Sequence, residues 1–393
     1  MSVPIEGYVA PGFDAVGEVF ASNFTAGVEV GASFCVMQRG RVLVDLWGGS
    51  CDQAGSRPWR ADTLVNVYST TKGLAAAAVA AVVASGSLDY QAPVQHYWPE
   101  LRAARSGLTV TQLLSHQAGL CAIDTPISVG DLYDWGGMCR RLEAQEPRWP
   151  PGTAAGYHAI TWGFLVGELV RRATGQSLAE VFRQHIAAPL DAACYIGLPD
   201  AEFHRAADLI GPNRARKAQA ERAAAEEAGS RPALNAVVME NPLIRPYADA
   251  CSTGWRRAEL AASNGHANGR GIARIYAALA GAENGGDIGA TQIVPAEQVA
   301  ALRTEVWGRQ PDLVLGYPMR RGRGVNLNTR GEFGPSAEAF GHTGTGGSLG
   351  FADPERGIGV GYAMNQLWGG TDPNSRAGRL VAALYRCLDG NPS

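Results

Sequence analysis

The sequence predicts an α/β chain of the α+β type: an antiparallel sheet flanked by terminal helices, with a mostly helical domain inserted between its two halves. Three observations carry this. β-rich runs separated by short turns occur near both ends, amphipathic helical patterns lie beside them, and the middle reads helical with Gly and Pro punctuation. The boundaries fall near residues 66 and 300. Residues 1–66 and 300–393 then form the sheet domain and 67–299 the helical one, with an active site between them.

In chain order, Phe13 to Phe24 reads as a first helix. VGASFCVMQRGRVLVDLWGG follows as two strands broken at Gln38-Arg39-Gly40, a hairpin signal. NVYSTTKGLAAAAVAAVVASG opens an apolar helix. In ITWGFLVGELVRRATG, Trp162, Leu165, Val166, Leu169 and Ala173 share one helical face, and Gly175 marks its stop. Ser177 and Glu180 have the spacing of a capping box for the next helix. Within 205–232, RARKAQAERAAAEEAGSRP reads as a solvated helix or as a flap over the cleft. SLGFADPERGIGVGYAM reads as two strands around a turn, and SRAGRLVAALYRCL as a closing amphipathic helix.

The composition excludes several classes of function. With 393 residues, 46% hydrophobic and a net charge of -3, the chain gives no electrostatic reason to expect nucleic acid or anionic membrane as a partner. Its seven cysteines are scattered and odd in number, which fits reduced thiols better than a disulfide framework, and no zinc spacing is present. The apolar run from Gly73 to Ala84 is too short to span a bilayer, which takes roughly 20 residues. The N-terminus lacks a basic start followed by an apolar core. A cytoplasmic protein with no metal or organic cofactor is the expectation.

Two serines compete for chemistry. Ser348 lies in Gly346-Gly347-Ser348-Leu349-Gly350, a G-x-S-x-G, but strands rather than a helix follow it, so it lacks the strand-to-helix elbow of an α/β-hydrolase. Ser69-Thr70-Thr71-Lys72 is an S-x-x-K. On a helix the two side chains are neighbours, and a lysine made neutral by apolar walls can take the serine proton. Taken in isolation, the same hydroxyls read as helix-capping residues. Two further segments add context: Tyr157 in PPGTAAGYHAITWGFLVGELV, and His342-Thr343-Gly344 in AFGHTGTGGSLGFADP.

With LTVTQLLSHQAGL and SNGHANGRGIARIYAALAG, these make five ordered segments in which the chain resembles the serine β-lactamase and penicillin-binding protein superfamily. More narrowly, it resembles the family VIII carboxylesterases, which are similar to class C β-lactamases. The resemblance implies a β-lactamase/transpeptidase-like fold with Ser69 as nucleophile, Lys72 as its base and Tyr157 as a proton-exchanging partner. It also implies an oxyanion hole from the N–H groups of Ser69 and Thr345, with His342, Thr343 and Gly344 beside the substrate, and a non-catalytic Ser348. Where relatives carry Tyr-x-Asn and Lys-Thr-Gly, this chain has Tyr157-His158-Ala159 and His342-Thr343-Gly344. A histidine, only partly charged near pH 7, suits a substrate carboxylate less than lysine does.

The expectation is therefore hydrolysis of small carboxylic esters, with weak β-lactam turnover in reserve. Acyl transfer, amide cleavage by the same site, and a binding protein that has lost turnover are the alternatives. Among other residues, His116 and His266 read as structural and His158 as a candidate to orient Tyr157. Trp368-Gly369-Gly370 resembles a motif of some family VIII relatives. Trp255, Tyr133 and Trp135 either pack or line a pocket.

Overall fold

The computed structural model describes residues 3–212, 232–281, 292–308, 310–367 and 375–390. Most of the alanine-rich stretch in 205–232, and Trp368-Gly369-Gly370, lie outside the described residues.

Strands β1 (Ile5–Val9), β2 (Gly31–Gln38), β3 (Arg41–Gly49), β7 (Asn326–Leu327), β8 (Phe340–Thr343), β9 (Leu349–Asp353) and β10 (Ile358–Met364) form one antiparallel sheet. Their order is β1-β3-β2-β10-β9-β8-β7. The expected hairpins are β2–β3 and β9–β10, and β10 joins the two chain halves by pairing Val360 with Val36 on one side and with Phe351 on the other. Strands β1, β7 and β8 had no clear sequence pattern. A second, three-stranded sheet of β4 (Val65–Asn66), β6 (Gly265–Ala267) and β5 (Cys194–Ile196) lies inside the stretch read as helical. Such short strands are too brief to show a period, and only their pairing partners define them.

Helices α1 (Asp14–Thr25), α2 (Thr70–Ala84), α3 (Thr161–Thr174), α4 (Gly269–Gly281) and α5 (Arg376–Leu388) matter most for the site. Helices α1 and α5 pack on each other beside the sheet, while α4 lies across β2, β9 and β10. The sheet layer thus recruits residues from Gly269 on. Gly359 makes this approach possible: a Cβ there would sit 2.0 Å from the Ala277 nitrogen. On α3 the predicted face is buried except for half-buried Ala173, Gly175 ends the helix in a left-handed conformation, and the Ser177–Glu180 capping box forms.

Helix α2 is buried almost all round, from Thr70 to Ala80 and at Val82. A helix apolar on every side belongs in an interior, and its alanines let neighbours approach closely. It touches α3 on one side and β8 and β9 on the other. Its N-terminus therefore opens where the sheet and the helical layer meet. No helix among the described residues is long and apolar enough to cross a membrane, and all seven cysteines are free thiols.

Candidate active site

Ser69 precedes the first turn of α2 with helical backbone angles, and its side chain makes no capping hydrogen bond. Its oxygen instead accepts a hydrogen bond from Tyr157 Oη at 2.7 Å and lies 3.4 Å from Lys72 Nζ. The capping explanation therefore does not account for this hydroxyl. One residue earlier, Tyr68 has φ +46°, a left-handed conformation uncommon outside glycine. Its hydroxyl is bonded to the Pro246 carbonyl and its ring meets Trp255 edge-on. Such anchoring holds a strained residue in place, a pattern typical of functional turns.

Lys72 is fully buried. Its Nζ contacts the carbonyls of Ala159 at 2.8 Å and Ala262 at 2.9 Å. Burial, helped by the charge of Arg321, holds its pKa well below the usual lysine range. A neutral amine has two N–H groups and one lone pair. The two carbonyls use the first, which leaves the lone pair for the Ser69 hydroxyl. Gly73 matters here because a Cβ at that position would meet Tyr276 Oη at 2.1 Å and His342 Cβ at 3.2 Å. Without it, α4 and β8 could not close around the lysine.

Tyr157 stands on the loop before α3. Burial pushes its phenol up to about 12, opposed by the Ser69 hydrogen bond and by Arg321, so it is a neutral donor at pH 7. Beneath it lies a pair that sequence reasoning missed. Arg321 and Asp312, each 1% exposed, form a salt bridge of 2.5 Å. Asp312 Oδ1 also accepts the backbone N–H groups of Tyr157, Val314 and Leu315. The Arg321 guanidinium lies 5.6 Å from the centre of the Tyr157 ring, and Lys72 Nζ 4.8 Å from it. No local signal marks these two residues, because Asp312 reaches Tyr157 across 155 positions of chain.

His116, His158, His266 and His342 are buried, and burial holds each below the usual imidazole range, so these four are neutral at pH 7. His158 accepts the Leu120 N–H at Nε2 and donates from Nδ1 to the Gly156 carbonyl, so its ring supports the loop and does not bond the Tyr157 hydroxyl. His116 Nδ1 accepts the His158 backbone N–H, and its ring packs 5.1 Å from that of Tyr157. His266 bonds to the Asn264 carbonyl in the small sheet. His342 faces α2 with Nδ1 on the Thr343 carbonyl and Nε2 unpartnered among the described residues. Burial, with Lys72 nearby, lowers its pKa to about 3. It is therefore uncharged at pH 7, where the sequence reading had it partly charged.

Thr345 follows β8 and is exposed. Neither its backbone N–H nor that of Ser69 donates to an acceptor among the described residues. The two loops touch: a Cβ on Gly344 would lie 2.2 Å from the Val67 carbonyl oxygen. Ser348 is 1% exposed and its hydroxyl is bonded to Val67 and Thr70. Trp255 and Trp135 are held by Asn66 and Glu168, while Tyr133 packs against Gly254. Among the described residues no group of three or more His, Cys, Asp or Glu is placed to hold a metal.

Comparison with known proteins identifies the family and the fold. The beta-lactamase family model matches residues 20–385. Over 375 residues the chain is 34% identical to the esterase/beta-lactamase LipL of Mycobacterium tuberculosis, a match that spans 92% of this chain and 83% of that one. A solved family VIII carboxylesterase superposes with TM-score 0.88 at 44% identity, covering 98% of this chain and 100% of the other. A penicillin-binding protein homologue from Caulobacter crescentus gives TM-score 0.85 at 37% identity over 98% and 100%. The fold is β-lactamase/transpeptidase-like, and the chain belongs to the beta-lactamase family.

Proposed function

We propose that this chain is a serine hydrolase that cleaves small carboxylic esters through an acyl-enzyme at Ser69. The observation that carries the reading is the buried Lys72 amine, whose two N–H groups are engaged by carbonyls while its remaining position faces Ser69. Ser69 attacks the ester carbonyl and passes its proton to Lys72 Nζ. The N–H groups of Ser69 and Thr345 bind the developing oxyanion. Tyr157 protonates the departing alkoxide, which leaves a phenolate between Lys72 and Arg321. In the second half, water gives a proton to that phenolate and attacks the acyl group. The Ser69 oxygen then leaves and recovers its proton from Lys72. The cycle closes without a cofactor.

Neutral esters fit better than carboxylated substrates. The Lys72 amine and the Arg321 guanidinium are both buried, and His342, Thr343 and Gly344 present no charge to a substrate. Weak β-lactam hydrolysis belongs to the same proposal, since the acyl-enzyme chemistry is shared. In this reading the ester enters between the part formed by residues 1–66 and 300–393 and the helical part between them, and both contribute site residues. The partner is a small-molecule ester and not nucleic acid or membrane. The free thiols fit a reducing compartment, so the cytoplasm is part of the proposal.

The test is to label the protein with a fluorophosphonate and map the adduct by mass spectrometry. The adduct is expected on Ser69 and absent from Ser69→Ala. Label on another serine that persists in Ser69→Ala would overturn the mechanism. Nitrophenyl esters assayed against a chromogenic cephalosporin report the substrate class, and added acceptor alcohol distinguishes transfer from hydrolysis.

A further inference from the structure

The turn that carries the Ser69 N–H spans Val67 to Thr70, and the loop that carries the Thr345 N–H spans Gly344 to Ser348. Ser348 belongs to both networks. Its carbonyl accepts the Gly344 N–H at 2.7 Å and, with the Gly347 N–H on the Gly344 carbonyl at 3.0 Å, closes the loop with Thr345 at its corner. Its hydroxyl donates to the Val67 carbonyl at 2.9 Å. That donation uses the one hydroxyl proton, so in the 3.0 Å contact with Thr70 Oγ1 the threonine donates and Ser348 accepts. The Val67 carbonyl also takes the Thr70 N–H at 3.2 Å. Val67, Thr70, Gly347 and Ser348 are buried, and half-buried Gly344 is pressed between Val67 and Ser348, where a Cβ would lie 2.3 Å from Ser348 Oγ.

We infer that Ser348 is a positioning residue that sets the spacing between the Ser69 and Thr345 N–H groups by bonding one turn through its hydroxyl and the other through its backbone. The inference rests on the oxyanion role proposed above for those two groups. It gives the G-x-S-x-G a function without nucleophilic chemistry. Loss of the hydroxyl leaves the Val67 carbonyl and the Thr70 hydroxyl short of a partner and releases the two loops from each other. Misplacement by about 1 Å can cost about 100-fold in rate. The effect falls on the transition state, because only there is the oxygen fully charged.

The experiment compares a short-chain nitrophenyl ester with its thionoester, whose sulfur fits an oxyanion hole poorly, in the parent, Ser348→Ala and Thr70→Val. Thermal unfolding verifies that each variant is folded. In Ser348→Ala, kcat for the ester is expected to fall about 10- to 100-fold with KM within about twofold. The ester-to-thionoester rate ratio should shrink by a similar factor. Thr70→Val should do the same more weakly, and the double variant should cost no more than Ser348→Ala alone. Equal losses on both substrates, with the ratio held at the parent value in both folded variants, would overturn the inference. If Ser348→Ala does not fold, Thr70→Val decides by the same ratio. A parent that does not discriminate the two substrates, or that keeps turnover in Ser69→Ala, defeats the underlying reading instead, and the inference with it.

Discussion

Replacing Arg321 by methionine should move the pH dependence of the reaction by an amount that the structure bounds. The active form needs neutral Lys72, so kcat/KM rises with pH through the pKa of that lysine. Arg321 and Lys72 lie on the same tyrosine ring, 5.6 Å and 4.8 Å from its centre. Their charges are thus no more than roughly 10 Å apart, which at an effective dielectric of about 20 is worth about 1.7 kcal/mol, or about 1.2 pH units. Without Arg321 the lysine holds its proton more tightly, and the ascending limb should shift up by at least about one unit. Unpaired Asp312 pushes the same way.

Other groups facing the amine do not confuse the limb. Burial keeps His116 well below its usual value, and it lowers His158 to about 4 and His342 to about 3, while Tyr157 lies at about 12. The assay is a pH–rate profile with a nitrophenyl ester. Arg321→Lys, which keeps the charge, is the control and should leave the limb near the parent. Asp312→Asn should move it downward. A folded Arg321→Met protein with an unshifted limb would refute Lys72 as the base whose titration is seen.

Three further outcomes are expected. Tyr157→Phe removes the hydroxyl 2.7 Å from Ser69 and should lower kcat/KM about 10²- to 10⁴-fold in steady-state assays, while a fluorophosphonate still labels Ser69 slowly. The buried histidines hold their folded pKa below the unfolded value, His158 at about 4 and His266 at about 3. The unfolded chain then binds more protons in this range, so stability present above about pH 6.5 should fall as pH drops towards 4. Each such histidine adds about 1.4 kcal/mol per pH unit, read as a falling urea midpoint. Gly359→Ala would drive a methyl group into the backbone of α4, and should destabilise the protein by about 1–3 kcal/mol or more with Ser69 labelling retained in the folded fraction.

Particular elements show how far the sequence could be read. Helices α1, α3 and α5 and the two hairpins have long periodic patterns, and a period is a property of adjacent residues. The S-x-x-K was equally legible, because three positions on a helix always bring two side chains to one face. Strands β4 to β8 were not, since two to four residues carry no period. Recognition of Tyr157 and the His342–Thr345 segment came from ordered likeness to a family, and the residues alone did not supply it.

The sequence by itself determined the local frame: a sheet built from both ends of the chain, a buried alanine helix, and a serine with a lysine one turn away. Only the tertiary structure decided what those residues face. It set the two carbonyls that occupy the Lys72 N–H groups, the Asp312–Arg321 pair beneath Tyr157, the neutrality of His342, and the contact of Ser348 with the turn of Ser69. The reason is physical. Backbone periodicity is set by neighbours in the chain, whereas the charge state of a buried group depends on the atoms that replace its water, and those come from segments up to hundreds of positions away.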